Sequence, residues 1–160
     1  MASPIRVRTT ATAGYDADAT HEDRDVLLTV ACDHTDRALE VHGVAWSKNA
    51  SPDVLGTKAW RLADVADRLD DLRRVARVAA ARTVIQDSTL AALLPPSYWI
   101  DVLRERGEYR TGTVLISGTV PMVEGVDQFA DRWEVELIDD TAGDSTTVAY
   151  DVEVMPAPIG

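Results

Sequence analysis

Two residue types are scarce in this chain, and each limits the kinds of protein that the chain can be. Cysteine occurs once, at Cys32, so the chain cannot form an internal disulfide. Lysine occurs only at Lys48 and Lys58, and 16 basic residues stand against 27 acidic ones, which gives a formal net charge of -11. Because nucleic-acid backbones are bound by clustered lysine and arginine, this balance predicts no nucleic-acid partner.

Long apolar runs and a charged N-terminal leader are also missing from the sequence. A membrane-spanning helix needs about 20 consecutive apolar residues. We therefore expect a cytoplasmic protein that does not associate with membranes. Cys32 lies in an apolar stretch, which favours a small buried side chain over a reactive nucleophile.

The residue pattern predicts one domain, residues 1–160, that is mainly β with short helices, an α+β class. Residues 132–138 alternate apolar and acidic side chains, and residues 146–154 alternate again after the turn-rich stretch 139–144. A further strand is predicted over residues 112–117. These segments place most of the sheet in the C-terminal half.

The N-terminal half is less regular. The β-branched segments 5–12 and 26–32 flank the acidic residues 21–25, a pattern that predicts a hairpin. Residues 35–46 carry apolar side chains at helix-like spacing. Residues 58–82 are ambiguous, because their apolar side chains have the helical period of one long helix, whereas the last of them could also alternate as a strand.

Three short segments place chemically capable side chains beside predicted strands. They are residues 32–37 (CDHTDR), 46–49 (WSKN) and 117–120 (SGTV). An aspartate, a lysine and a threonine hydroxyl from distant segments can hold a hard divalent cation and an oxyanionic substrate together, which predicts a metal-assisted enzyme. Taken alone, an aspartate at the end of an apolar run is more often a helix cap than a metal ligand.

These segments, together with residues 60–67 and 86–96, resemble the ordered motifs of the fumarylacetoacetate hydrolase superfamily. They are closer still to a short bacterial domain family of unknown function related to it. The resemblance implies a fumarylacetoacetate hydrolase-like mixed β-sandwich roll, shortened at its N-terminus. It also implies that residues 72–78 and 82–86 form a hairpin rather than part of a long helix.

The resemblance identifies Asp33 with the superfamily's motif aspartate, a ligand of Mg²⁺, Mn²⁺ or Ca²⁺. The superfamily's Glu-x-Glu metal pair is not evident here, and the nearest analogue is Asp16 with Asp18. Two residues at i and i+2 face the same side of a strand, so both carboxylates could reach one ion. An acidic strand edge explains the same two residues equally well.

The remaining site residues also follow from the resemblance. Lys48 corresponds to the active-site lysine, and Thr119 offers a hydroxyl and a neighbouring backbone N–H to a substrate oxygen, so both are assigned to catalysis. Arg37, Glu40 and Gln86 are weaker candidates for substrate binding. Each of these three also suits a structural role.

The resemblance implies a metal-dependent hydrolase or lyase that acts on a small 2-oxo or 1,3-dioxo acid, a carboxylate-bearing substrate. The alternative is a catalytically silent homologue that acts as a binding or assembly subunit. We also expect a homodimer, because the four tryptophans are a large aromatic supply for a domain of this size and some could serve an interface.

Overall fold

The computed structural model describes residues 5–8 and 26–154. Short strands and short helices make up this part of the chain. In chain order they are β1 (Ile5–Arg8), β2 (Leu27–Leu28), β3 (Ala31–Cys32), a 3₁₀ helix (Glu40–His42), α1 (Val44–Asn49), β4 (Val54–Leu55), β5 (Trp60–Arg61), α2 (Leu62–Val65), a 3₁₀ helix (Ala66–Asp71), β6 (Arg73–Val78), β7 (Thr83–Thr89), a 3₁₀ helix (Leu90–Ala92), α3 (Pro96–Glu105), β8 (Arg132–Asp139) and β9 (Asp144–Val154). The predicted small α+β class is confirmed.

A five-stranded sheet carries the core. Its strand order is β1-β9-β8-β6-β7, and every neighbouring pair is antiparallel. The predicted alternation in β8 and β9 is confirmed, because Val135 pairs with Val148 on the buried face and Trp133 pairs with Tyr150 on the same face. Among the described residues, no helix is long and apolar enough to cross a membrane.

The hairpin implied for the middle of the chain is confirmed. Strands β6 and β7 pair antiparallel, and their turn contains Ala79 and Arg82 at positive φ, 60° and 56°. One long helix over residues 58–82 is therefore the wrong interpretation. The helical period belongs only to α2 and the 3₁₀ helix that follows it, and Leu72 ends that segment as a buried residue.

The predicted N-terminal hairpin is wrong in the described part of the chain. Strand β1 pairs with the C-terminal strand β9, whereas β2 pairs with β5 and β3 pairs with β4. Residues 26–32 are thus divided between two small ribbons instead of forming one strand. Their apolar side chains find partners in later segments, which short-range patterning does not reveal.

Two other predicted segments differ from the structure. Regular helix in residues 35–46 begins only at Glu40, because the Asp36 carboxylate accepts hydrogen bonds from the backbone N–H groups of Ala38 and Leu39 and forms a turn instead. Residues 112–117 form no strand. That segment is exposed, so its apolar side chains contribute nothing to the core that would fix an extended pairing.

Tight packing at Gly56 holds the β3–β4 ribbon against the sheet. A Cβ atom at Gly56 would lie 2.7 Å from the hydroxyl oxygens of Thr29 and Thr146, and both hydroxyls donate to the Lys58 carbonyl at 2.7 Å. Glycine therefore permits this close approach. As a result Cys32 belongs to the same buried cluster as residues of the central sheet.

Candidate functional site

The register of the β3–β4 ribbon places two aspartates opposite each other. Cys32 pairs with Val54, so the next position outward sets Asp33 against Asp53. Partial burial and then the charge of Asp33 raise the pKa of the Asp53 carboxyl, since like charges in facing positions repel. A protonated Asp53 can donate a hydrogen bond to Asp33, and this hydrogen bond raises the pKa of Asp53 further.

Lys48 lies in the last turn of α1 and binds Asp33. Its Nζ atom is 2.8 Å from Asp33 Oδ2 and donates to the Asp33 carbonyl at 3.2 Å. The Lys48 and Asp33 side chains are 36% and 26% exposed, so a small molecule can reach this pair from solvent. Asp33 Oδ1 is buried, and while Asp53 is ionised it has no hydrogen-bond donor among the described residues.

A buried polar trio lies beside this pair. The Tyr150 hydroxyl is 2.8 Å from Cys32 Sγ and 3.0 Å from His34 Nδ1, and the His34 ring packs edge-on against Trp133. Burial raises the pKa of Cys32 and of Tyr150 and lowers that of His34. Cys32 is therefore a protonated, buried side chain, as its apolar neighbourhood predicted, and His34 is a neutral hydrogen-bonding group.

A second polar group surrounds Arg74 on β6. Arg74 Nη1 donates to Gln86 Oε1 and, at 3.0 Å, to Thr119 Oγ1. Gln86 Nε2 also donates to Thr119 Oγ1 at 2.9 Å and to the Val120 carbonyl at 2.6 Å. These contacts fix the Thr119 hydroxyl and the Arg74 guanidinium relative to each other.

Electrostatic interactions link the two groups. The charges of Arg74, Asp33 and Lys48 all act on the Cys32 thiol, and those of Arg74 and Asp33 act on Tyr150. Both groups thus lie within electrostatic range of the same buried trio. The arrangement offers carboxylate oxygens on one side, and an ammonium, a guanidinium and a hydroxyl that can hold an oxyanionic ligand.

The structure therefore joins Asp33 with Lys48, and Gln86 with Thr119, four of the residues that the sequence singled out. Arg37 and Glu40 form an exposed ion pair with each other at 2.8 Å. Their proposed contact with substrate remains a prediction. Asp16 and Asp18 lie outside the described residues, so their role as metal ligands also remains a prediction.

Two facing carboxylates, Asp33 and Asp53, could serve as ligands of a hard cation. In the described ranges, no three His, Cys, Asp or Glu side chains are grouped to hold a metal. Mg²⁺, however, is usually bound by one or two carboxylates, with water and substrate oxygens completing its shell. Asp33, whose Oδ1 has no partner among the described residues, and the facing Asp53 would supply two such carboxylates, although the Lys48 ammonium competes for the other Asp33 oxygen.

Sequence reasoning missed Arg74 and Asp53. One feature of the sequence pointed to Arg74: it lies at every second position with Ala76 and Val78, both of which face the core. No such feature pointed to Asp53, because only the pairing of β3 with β4 sets it against Asp33.

Comparison with known proteins adds a family but no activity. A family model described as "Protein of unknown function (DUF2848)" matches residues 1–150. No curated protein and no solved structure matches the chain. The expected similarity to a domain family of unknown function is confirmed, whereas the link to the fumarylacetoacetate hydrolase superfamily remains a prediction.

Proposed function

The chain belongs to the DUF2848 family of proteins of unknown function, and we propose that it is a metal-dependent hydrolase or lyase acting on a small 2-oxo or 1,3-dioxo acid. The observation that carries this proposal is the Asp33–Lys48 pair. One oxygen of Asp33 binds the lysine ammonium, and the other is buried and has no donor among the described residues while Asp53 is ionised. A buried carboxylate oxygen without a partner is costly unless a ligand completes it.

Lys48 and Thr119 would contact different oxygens of the ligand. The Lys48 ammonium is partly exposed and holds the oxygen of the acid on which negative charge develops. The Thr119 hydroxyl already accepts two hydrogen bonds, from Arg74 and Gln86, so its own O–H is left to donate to a second ligand oxygen. Both groups are positioned before the ligand arrives, which lowers the cost of ordering them.

The cation of this proposal is Mg²⁺ or Mn²⁺, with Ca²⁺ a further candidate. Asp33 and Asp53 would hold it, joined by Asp16 and Asp18 if those carboxylates reach the same ion. When bound, the cation supplies Lewis-acid stabilisation of an enolate or keto acid. A fumarylacetoacetate hydrolase-like fold and C–C bond hydrolysis belong to the proposal too, and their support is the ordered sequence motifs.

The test is turnover of defined acids by the full chain. An acylpyruvate and oxaloacetate are incubated with the protein and Mg²⁺ or Mn²⁺, and loss of the enol absorbance is followed with and without EDTA. We expect a loss of absorbance that requires both the protein and the metal, and a metal-dependent rise in melting temperature. If no acid is consumed with Mg²⁺, Mn²⁺ or Ca²⁺ and no metal shifts the melting temperature, the enzyme proposal is wrong. Carboxylate binding without turnover would instead favour the silent binding subunit.

Self-association is a separate part of the proposal. Val41, Val44 and Trp46 lie close together in sequence around α1 and are 82%, 63% and 69% exposed. Trp46 also lines a surface cavity with Leu39 and His42. A second copy of the chain would cover this apolar surface by two-fold symmetry. Light scattering should then give about twice the chain mass of 17.4 kDa, and a mass of one chain at micromolar concentration would rule the homodimer out.

A further inference from the structure

We infer that Arg74 binds the carboxylate group of the substrate and thereby selects acids over their neutral analogues. The inference rests on the proposed function for the class of ligand, and it deepens that proposal by naming the residue that recognises the acid group.

Arg74 lies on the core-facing side of the central sheet. Arg74 pairs across β6 and β8 with Leu137, and the side chains of a cross-strand pair lie on the same face. Leu137 is 2% exposed, and Ala76, two residues along the same face, is fully buried. Arg74 therefore places a guanidinium on the core-facing side of the sheet, where an ionised group is costly unless it is paired.

The other arginines of β6 both have carboxylate partners. Arg73 forms an ion pair with Asp87, and Arg77 forms ion pairs with Glu134 and Glu136. The contacts of Arg74 in the described part of the chain are with the neutral groups Gln86 Oε1 and Thr119 Oγ1. Of the three arginines of β6, Arg74 is the one on the core face, and among the described residues it is the one without a carboxylate partner.

The guanidinium of Arg74 is oriented by two hydrogen bonds from one of its nitrogens. Both described hydrogen bonds use Nη1, so within the residues that the structure describes, the Nε and Nη2 edge has no acceptor. That edge is the fork that binds a carboxylate through two parallel hydrogen bonds. Gln86 is buried and is itself held by the Val120 carbonyl, so the fork is fixed in direction.

Burial gives an electrostatic reason for a bound anion. Burial lowers the pKa of Arg74, which shows that its charge is poorly solvated where it lies. A carboxylate supplied by a ligand offsets this desolvation, and the interaction is stronger than it would be at an exposed site. Thr119, beside the guanidinium, then contacts the same ligand.

The experiment compares pyruvate with pyruvamide, its neutral analogue, by calorimetry on the full chain with Mg²⁺. Wild-type protein should bind pyruvate at least about tenfold more tightly than pyruvamide, because a hydrogen-bonded charge pair replaces a neutral contact. Arg74→Gln should bind the two compounds equally. Arg74→Lys keeps the charge but loses the fork, so its preference for pyruvate should be smaller than that of the wild type and larger than that of Arg74→Gln.

Arg73→Gln is the matched control, since it removes one positive charge from the neighbouring position on the opposite face of β6 and should preserve the preference for pyruvate. If Arg74→Gln does not fold, the inference is tested by comparing the preference for pyruvate of Arg74→Lys with that of Arg73→Gln. The inference is overturned if wild-type protein does not prefer pyruvate, or if the Arg74 variants keep the wild-type preference.

The outcome is separable from that of the proposed function. Turnover of an acylpyruvate with an unchanged KM in Arg74→Gln would overturn the inference and leave the enzyme proposal standing. Arg74-dependent binding of pyruvate by a protein that consumes no acid would support the inference and contradict the enzyme proposal.

Discussion

Replacing Lys48 with methionine is expected to lower the turnover of a 2-oxo or 1,3-dioxo acid by about 10²- to 10³-fold, the usual effect of removing one group that stabilises an oxyanion. Methionine fills a similar volume but carries no charge. Lys48 Nζ lies 2.8 Å from Asp33 Oδ2, so its loss also removes the cation that competes with a metal for that oxygen. Binding of Mn²⁺ should therefore be unchanged or tighter while kcat falls.

Lys58 provides a matched control, because it is the other lysine of the chain and forms an exposed ion pair with Asp144. Lys58→Met should keep wild-type turnover, since the two threonine hydroxyls nearby bind its carbonyl and not its side chain. Equal turnover in Lys48→Met and wild type would remove Lys48 from the chemistry. A parallel loss of Mn²⁺ binding and turnover would show that Lys48 only positions Asp33.

Leu72→Ala is expected to lower the free energy of unfolding by about 2–5 kcal/mol, the range for deleting a buried leucine side chain and leaving a cavity. Leu72 is 1% exposed, and its carbonyl accepts a hydrogen bond from the Leu90 N–H at 2.9 Å. Alanine keeps that backbone contact, so the change isolates side-chain packing. Urea unfolding followed by circular dichroism measures the difference.

Leu94 gives the control for the same chemical change. It is 52% exposed in the segment before α3, so Leu94→Ala should alter the free energy of unfolding by about 0.5 kcal/mol or less. A loss at Leu72 no larger than the loss at Leu94 would mean that the Leu72 side chain does not contribute to the packing of the core.

Part of the candidate site could be predicted from sequence. Asp33, Lys48, Gln86 and Thr119 were singled out because their motifs keep a recognisable order, and the structure brings them together as two pairs. The order of motifs along a chain does not indicate which groups face them. The position of the Asp53 carboxyl beside Asp33 therefore could not be predicted from the sequence and is seen only in the folded chain.

Sequence pattern by itself determined the local structure of β8 and β9, whereas the β6–β7 hairpin followed only from the family resemblance. Alternation with a period of two assigns each side chain to a face, and turn residues mark where a strand reverses, so β8 and β9 could be placed from neighbouring residues alone. The same local information predicted that Cys32 is buried.

Only the tertiary structure decided which strands become neighbours. Pairing of β1 with β9 and of β6 with β8 joins segments that are distant in the chain, and it depends on which buried surfaces fit together in the complete core. The same choice decided the environment of Arg74. Alternation along β6 shows which face of the strand Arg74 is on. Only the packing of Gln86, Thr119 and the β3–β4 ribbon around that face leaves Arg74 without a carboxylate partner among the described residues.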